Sequence, residues 1–206
     1  MWRTICFIFA FFPVSTFALM TELGGSIGYD REIYGTSREN TIRTRTYTGS
    51  IAFYFLKYTA IELNYSNSTK MIEEHTIYSI NDAANNVSVV GNNSTLKTEI
   101  FGIGIRQALS SKEALIRPLV SLGYAKQFVE SSGDTIYRLD LTGEEIRVFI
   151  PKEKRRFDSI FGTFRLQVRL TAALRFTASV STYFKADDFN RAQDNLKYLL
   201  GFSWIF

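Results

Sequence analysis

Apolar and polar residues alternate one by one in successive segments of the chain after residue 20. This alternation predicts β-strands with one apolar face, and a length of about ten residues lets a tilted strand cross membrane hydrocarbon. The predicted strands are residues 22–34, 44–55, 60–66, 96–109, 115–127, 156–170, 174–184 and 195–206. No stretch in this part of the chain shows a helical period, so the pattern predicts an all-β fold.

The connections between these strands alternate in length. Those after the second, fourth and sixth strands are only a few residues long, whereas residues 67–94 and 128–155 are long and polar. In transmembrane barrels the short turns lie in the periplasm and the long loops lie outside the cell. The sequence therefore predicts a transmembrane antiparallel up-and-down β-barrel of eight strands, with both termini in the periplasm.

The strand count has one alternative. Residues 135–141 and 145–150 also alternate, around a turn at Thr142, Gly143 and Glu144. These two segments are short for crossing lipid, so we interpret them as a hairpin that extends above the membrane. If they cross the membrane instead, the barrel has ten strands.

The first residues are organised like a secretory signal peptide. Arg3 supplies a positive charge, an apolar stretch follows, and Thr16 and Ala18 are small residues placed before a cleavage site. We expect residues 1–18 to be removed and residues 19–206 to form one barrel domain. The alternative is a retained anchor helix, which the short apolar stretch disfavours.

Composition and charge exclude some classes of function. The chain has 206 residues, of which 46% are hydrophobic and 15% aromatic, as expected for strands with one face in lipid and one in a polar lumen. The net charge is only +4 and the basic residues form no long stripe, so nucleic-acid binding is not expected. The only cysteine, Cys6, lies in the predicted signal peptide, which leaves no disulfide and no thiolate metal site.

Charged residues recur on the face of each strand that is predicted to point inward. An eight-stranded barrel is just wide enough for side chains to fill it, so these charges should be buried and paired. The predicted lumen charges are Glu62, Arg106, Arg117, Arg165, Arg169, Arg175 and Lys197. The arginines in this set outnumber its single acidic residue, Glu62. Candidates to complete the network are Asp30, Glu32, Tyr54 and Tyr183. The lumen is then either a packed, salt-bridged plug or a narrow anion-preferring channel.

A second group of cations falls near the predicted outer surface of the membrane. Cations in this position can bind the phosphates of lipopolysaccharide as charge-assisted pairs. The group consists of Arg43, Arg45, Lys152, Lys154, Arg155 and Arg156. The alternative is a solvated loop with no specific ligand.

The carboxyl-terminal strand has the most distinctive pattern in the chain. One of its faces carries Tyr198, Leu200, Phe202, Trp204 and Phe206. Lipid-facing positions must be apolar, and aromatic residues are preferred near the membrane interfaces. A strand of alternating aromatic residues with a final Phe also resembles the signal read by the outer-membrane barrel-assembly machinery, so we expect that machinery to be a partner during biogenesis. The alternative is an ordinary last strand of a soluble sheet.

Residues typical of catalysis are sparse. His75 is the only histidine and lies in a predicted outer loop, next to Glu73 and Glu74. A barrel-type lipid A deacylase would need a His-x-Ser arrangement, which this segment lacks, and no metal-ligand spacing or phosphate-binding loop is present. We expect no catalytic residue, no metal site and no cofactor.

Four segments resemble the small outer-membrane β-barrel superfamily, which includes OmpA/OmpX-like transmembrane domains and opacity-type surface proteins. They are ELGGSIGYD at residues 22–30, AIELNYS at 60–66, RPLVSLGYA at 117–125 and GFSWIF at 201–206. The resemblance implies a monomeric eight-stranded barrel in the outer membrane of a Gram-negative bacterium, in contact with outer-membrane lipid and lipopolysaccharide.

Membership of this superfamily does not choose a single role. We expect a non-enzymatic membrane anchor whose long extracellular loops serve surface interaction or envelope integrity. The alternatives are a narrow, anion-preferring channel and, less favoured by the residues, a lipid-modifying barrel enzyme.

Overall fold

The computed structural model describes residues 20–35, 38–75, 78–82, 85–139, 141–185 and 196–206. The predicted signal peptide, residues 1–18, lies outside the described residues, as does the predicted start of the last strand at Asn195. The described chain forms nine strands: β1 (Met20–Tyr34), β2 (Asn40–Tyr54), β3 (Thr59–Glu74), β4 (Tyr78–Asp82), β5 (Asn85–Ala108), β6 (Ile116–Leu139), β7 (Glu145–Arg169), β8 (Leu174–Lys185) and β9 (Lys197–Ile205).

All nine strands belong to one sheet that closes on itself. Each strand pairs antiparallel with its neighbours, β9 returns to pair with β1, and β3 pairs with β5. β4 continues the line of β3, because both pair with β5 in succession and β4 contacts only the part of β5 nearest its start. The wall of the barrel therefore has eight positions. This confirms the predicted eight-stranded up-and-down barrel, and the ten-stranded alternative is wrong.

The short connections lie at one end of the barrel, which we call the turn end. They are residues 55–58, 109–115 and 170–173, and backbone hydrogen bonds such as Leu170 N to the Leu174 carbonyl close them. At the opposite end, which we call the hairpin end, β5, β6 and β7 continue well past β1 and β8. β5 and β6 pair from Ala108 as far as Val87, and β6 and β7 pair as far as Glu145.

The prediction of long loops at residues 67–94 and 128–155 is wrong for most of both stretches. β3, β4 and β5 occupy most of the first stretch, and the ends of β6 and β7 occupy most of the second. The predicted hairpin of residues 135–141 and 145–150 is confirmed, since Arg138 pairs with Glu145 and Gly133 with Ile150. The turn between these strands contains Gly143 at φ 69°, a left-handed conformation that glycine adopts without strain.

The outward face of the barrel wall is apolar and exposed. Ile27, Ile105 and Leu122 are each 60–62% exposed although they lie in the middle of strands. A continuous exposed surface of this kind is costly in water and is the natural outer surface of a barrel in lipid. The barrel therefore has the surface of a transmembrane protein. Among the described residues, no helix is long and apolar enough to span a bilayer.

Candidate functional site: the closed lumen

A buried network of charged side chains crosses the lumen, with Arg106 at its centre. Arg106 Nη1 donates to Glu22 Oε1 at 2.8 Å, while Nε and Nη2 donate to the two oxygens of Glu62 at 3.0 and 2.5 Å. All three side chains are at most 2% exposed. The guanidinium thus makes a bidentate pair with one carboxylate and a single bond to the other, the geometry that compensates best for burying charge.

Further side chains complete the coordination of the two carboxylates. Ser121 Oγ donates to Glu62 at 2.5 Å, and Arg165 Nη2 lies 3.5 Å from the same carboxylate. Gln167 donates to Glu22 at 2.6 Å and Tyr54 donates to it at 3.0 Å. Three strands besides β1, β3 and β5 contribute these side chains, namely β2, β6 and β7, so the network ties opposite walls of the barrel together.

Apolar side chains fill the lumen on the hairpin side of this network. Phe161 and Tyr183 have ring centroids 6.0 Å apart and pack with Ile100 and Ala125. Space for the Phe161 ring comes from two opposed glycines, because a Cβ on Gly104 would lie 2.8 Å from Phe161 Cζ and one on Gly123 would lie 2.6 Å from Phe161 Cε1.

A second apolar cluster fills the lumen towards the turn end. It consists of Ala52, Tyr54, Ala60, Ala108 and Leu119, with Met20 and Tyr58 packed against it. Along β5 and β6, Arg106 and Ser121 come between residues of the two apolar clusters. The lumen is consequently filled by an apolar layer, then by the charge network, and then by the second apolar cluster, which shares the turn end with the buried Arg117 and Arg175.

A cavity of about 680 Å³ lies above this filling, at the hairpin end. Its wall includes Asp30, Glu32 and Lys70 as well as hydroxyl groups of β2, β3 and β5. Lys197 also lines it, with its ammonium 5.4 Å from the centre of the Tyr183 ring. We call this cavity the vestibule. Its floor is the apolar layer described above, from which Ile100 and Tyr183 line the cavity.

The structure brings most of the predicted lumen charges together. Glu62, Arg106, Arg117, Arg165 and Arg175 are all buried inside the barrel. Lys197 lies apart from them, in the wall of the vestibule. Arg169 is the exception: it is exposed, because β7 ends at this residue and its side chain has reached the turn-end surface. The expectation that Arg169 is a buried lumen charge is therefore wrong.

Glu22 and Gln167 are members of the network that the sequence did not predict. Alternation carries a signal for both, because Glu22 is in step with Gly24, Ser26 and Gly28 on the inward face of β1, and Gln167 lies two residues after Arg165 on the inward face of β7. Glu22 supplies the second acid that an arginine-rich lumen requires. Of the proposed completing residues, Tyr54 joins the network, while Asp30 and Glu32 face the vestibule.

The predicted outer cations are mostly engaged with nearby side chains. Arg43 lies 3.5 Å from Glu73 across β2 and β3. Lys152 and Lys154 lie 3.2 and 3.6 Å from Glu130, whose pKa is held below its usual value chiefly by the hydrogen bond from Lys152.

The remaining three cations differ from one another. Arg155 donates to Glu153 at 2.7 Å, and the Arg156 guanidinium lies 5.7 Å from the centre of the Phe128 ring. Arg45 is exposed, and no ion pair joins it to another described residue. It lies opposite Tyr29 on the outward face.

The aromatic face of the last strand points outward. Tyr198, Leu200, Phe202, Trp204 and Phe206 are exposed, and they alternate with the buried residues Leu199 and Ser203. Their outward direction agrees with the predicted face. Recognition of this strand by an assembly machine stays a prediction.

His75 lies in a polar cluster beyond the vestibule. Its backbone N–H donates to Asn40 Oδ1 at 2.8 Å, and its Nδ1 lies 3.2 Å from the Glu39 carbonyl oxygen. Beside it, Tyr34 donates to Glu74 at 2.7 Å. That hydrogen bond, together with partial burial and the neighbouring negative charge, raises the pKa of Tyr34 to about 12. Hydrogen bonds from Tyr34 and Asn92 hold the pKa of Glu74 below its usual value. The imidazole is thus held by a backbone carbonyl, and no carboxylate of a described residue orients it.

No protein-family model matches this sequence, and no curated protein matches it. Solved structures do resemble its fold. OprG, an outer membrane protein of Pseudomonas aeruginosa, matches with a TM-score of 0.55 and 10% identity, over 91% of this chain and 96% of that chain. The N-terminal β-barrel domain of OprF from the same organism gives 0.47 and 14%, over 91% and 97%. The attachment invasion locus protein Ail of Yersinia pestis gives 0.45 and 13%, over 90% and 99%.

The likeness to OprG supports the fold that strand pairing and the apolar outer wall already define. It also confirms, at the level of fold, the resemblance to small outer-membrane barrels seen in the sequence. This chain has the fold of the small eight-stranded outer-membrane β-barrels.

Proposed function

We propose that this chain is an integral outer-membrane protein of a Gram-negative bacterium whose closed barrel anchors a sheet for binding a partner protein. In this arrangement the turn end faces the periplasm and the hairpin end faces the outside. The filled lumen supports an anchor over a channel, since apolar layers lie on both sides of the charge network. The environment of His75 supports a structural role for that residue over a catalytic one.

The observation that carries the proposal is the edge of β7 above the barrel. Among the described residues, β8 pairs with β7 only from Ser159 onward, whereas β7 begins at Glu145. Within the part of the chain that the structure describes, the segment before Ser159 pairs with β6 on one side only, and its residues 145–156 are all exposed. Unpaired N–H and C=O groups along such an edge can pair with an added strand.

The side chains of this edge indicate where a partner strand would bind. Ile146, Val148, Phe149 and Ile150 are exposed apolar residues, with Phe149 at 73%. Pro151 follows and lacks an N–H, so it limits strand addition to the part of β7 before it. The next residues, 152–156, are four cations and one acid, a charge that favours an acidic partner. We therefore propose that an extended, acidic segment of another protein binds this edge of β7.

A designed peptide tests this proposal directly. We expect the barrel in phospholipid nanodiscs to bind a labelled peptide of alternating valine and glutamate, measured by fluorescence anisotropy, at least about tenfold tighter than a valine–lysine peptide. Replacing residues 134–149 with an Asn-Gly turn should abolish the binding, because it removes the apolar part of the β7 edge. A matched shortening of the β4–β5 hairpin, with residues 80–87 replaced by the same Asn-Gly turn, should leave the binding intact. Equal binding by both shortened proteins would refute the β7 site.

We also propose that outward arginines at the hairpin end bind lipid phosphates. Arg31 on β1 is directly opposite Arg43 on β2, and alternation places both on the outer face with Arg45. Like charges opposite one another on a sheet repel, and an anion between them removes that cost. Tyr29 and Tyr47, both exposed on the same face, lie where aromatic residues mark the membrane interface. The phosphates of lipopolysaccharide are the partner we expect there.

The double variant Arg31→Gln/Arg45→Gln should lose most of the thermal stabilisation that purified lipopolysaccharide gives the barrel in vesicles. The reason is that these cations have no acidic partner among the described residues and are free to bind phosphate. The variant Lys152→Gln/Lys154→Gln also removes two positive charges, but these cations are already paired with Glu130. Its thermal stabilisation by lipopolysaccharide should therefore stay near that of the unaltered protein. If the two variants lose the same amount of thermal stabilisation by lipopolysaccharide, the proposed arginine site is excluded.

A further inference from the structure

Among the described residues, the buried interior of the barrel holds more cationic than anionic side chains. Four buried guanidinium groups face two buried carboxylates, which leaves a surplus of two positive charges, 4 − 2. The six residues are Arg106, Arg117, Arg165, Arg175, Glu22 and Glu62. Moving an uncompensated charge out of water is costly, so a surplus of this kind calls for a counter-ion.

The unsatisfied hydrogen-bond donors show where the surplus lies. Arg106 uses Nε, Nη1 and Nη2 in hydrogen bonds to other side chains. In contrast, Arg117 Nε and Nη2 are buried without a hydrogen-bond partner among the described residues, and so are Arg175 Nε and Nη1. Buried polar groups are nearly always hydrogen-bonded, so four such nitrogens on two arginines require an acceptor.

Both arginines lie near the turn end. Arg117 on β6 is 3.4 Å from Glu22 through Nη1, and its guanidinium lies 4.9 Å from the centre of the Tyr54 ring. Arg175 on β8 reaches across the barrel mouth, where Nη2 donates to the carbonyl oxygen of Lys112 in the connection between β5 and β6. Gln167 links the two positions, because it is opposite Arg117 in the pairing of β6 with β7 and donates to Ser203, which is opposite Arg175 in the pairing of β8 with β9.

We propose that Arg117 and Arg175 together bind a small inorganic oxyanion at the turn end of the lumen. Guanidinium groups present N–H donors in a planar fork that matches the oxygens of such anions. Water could accept the same hydrogen bonds but would leave the surplus charge uncompensated. Arg169 is opposite Arg175 in the pairing of β7 with β8, but its side chain is exposed and is not part of this site. This site is independent of the partner-binding edge, which lies at the other end of the barrel.

Inorganic phosphate is the probe for this site. The purified barrel in detergent micelles is titrated with phosphate while a bulky organic sulfonate holds the ionic strength constant, and its thermal unfolding midpoint is measured. A bound anion stabilises the folded state in proportion to the logarithm of its concentration above Kd. We expect the midpoint of the unaltered protein to rise by about 3 °C or more as phosphate saturates the site.

Two arginine variants localise the effect. Arg175→Gln removes half of the free donors and should reduce the rise to less than about a third. Arg169→Gln removes an equal charge at the same end of the barrel but no buried donor, and it should retain the full rise. If the midpoint of the unaltered protein does not rise with the logarithm of phosphate concentration, as when water alone fills the site, the proposal is overturned, and an undiminished rise in Arg175→Gln overturns it as well.

A second readout does not depend on the folding of a variant. In arginine-labelled protein, phosphate should shift two buried side-chain Nε–Hε signals in the nitrogen–proton NMR spectrum, those of Arg117 and Arg175. The Nε–Hε signal of Arg106, already bonded to Glu62, should not move. Unchanged signals for all the buried arginines would overturn the proposal.

Discussion

Replacing Glu62 with glutamine lowers the free energy of unfolding of the barrel by about 3–5 kcal/mol. The carboxylate accepts hydrogen bonds from Arg106, Ser121 and Arg165, and its loss leaves two guanidinium groups buried without that counter-charge. The surplus of positive charge in the interior rises from two to three. Urea unfolding of the barrel in phospholipid vesicles, followed by the fluorescence of Trp204, measures the change.

Two further variants show that charge balance is the cause. Arg106→Gln breaks as many contacts but reduces the surplus to one, so we expect it to cost less than Glu62→Gln. Glu99→Gln removes a carboxylate from the exposed outer face of β5 and should change the free energy of unfolding by less than about 0.5 kcal/mol. If Arg106→Gln cost as much as Glu62→Gln or more, the electrostatic account of the lumen would be contradicted.

Placing an arginine on the lipid-facing wall should be almost as damaging. Leu122→Arg puts a charge in the middle of the barrel portion of β6, at a side chain that is 62% exposed, and should cost about 2–4 kcal/mol in a bilayer. The same urea unfolding experiment in vesicles measures it. The cost arises only if the exposed residue faces hydrocarbon.

Phe149→Arg is the matched control for this substitution. Phe149 is even more exposed than Leu122, but it lies on β7 above the barrel, where we expect water around it. Its substitution should change the free energy of unfolding by no more than about 0.5 kcal/mol. Equal costs at the two positions would contradict the boundary that we place between the barrel in lipid and the sheet above it.

The barrel could be predicted from the sequence because lipid imposes a strict pattern on every strand that crosses it. Outward positions such as Ile105 and Leu122 must be apolar, whereas the lumen tolerates polar residues, and the resulting alternation identifies each strand. Above the membrane both faces of β5, β6 and β7 meet water or the vestibule, so the alternation fades. Strands that continue there were therefore predicted to be loops.

The residues that line the lumen could be predicted from the sequence, but the hydrogen bonds and ion pairs between them could not. The direction of a side chain follows from alternation, and this placed Glu62, Arg106 and Arg165 inside correctly. Which groups meet depends on barrel closure, which joins residues far apart in the chain: Glu22 accepts a hydrogen bond from Gln167, 145 positions away. The strand end also matters, because Arg169 has the inward phase of β7 but lies where the strand leaves the barrel.

Single-channel recording in planar lipid bilayers tests the central claim, that the lumen is closed. Among the described residues, the apolar layer around Phe161 and Tyr183 and the charge network beneath it fill the lumen, and we infer that no continuous polar path joins its two ends. We expect the purified, inserted barrel to show no discrete openings at any applied voltage at which the bilayer itself is stable. Stable, reproducible openings of the unaltered protein would contradict the closed lumen and would favour the channel.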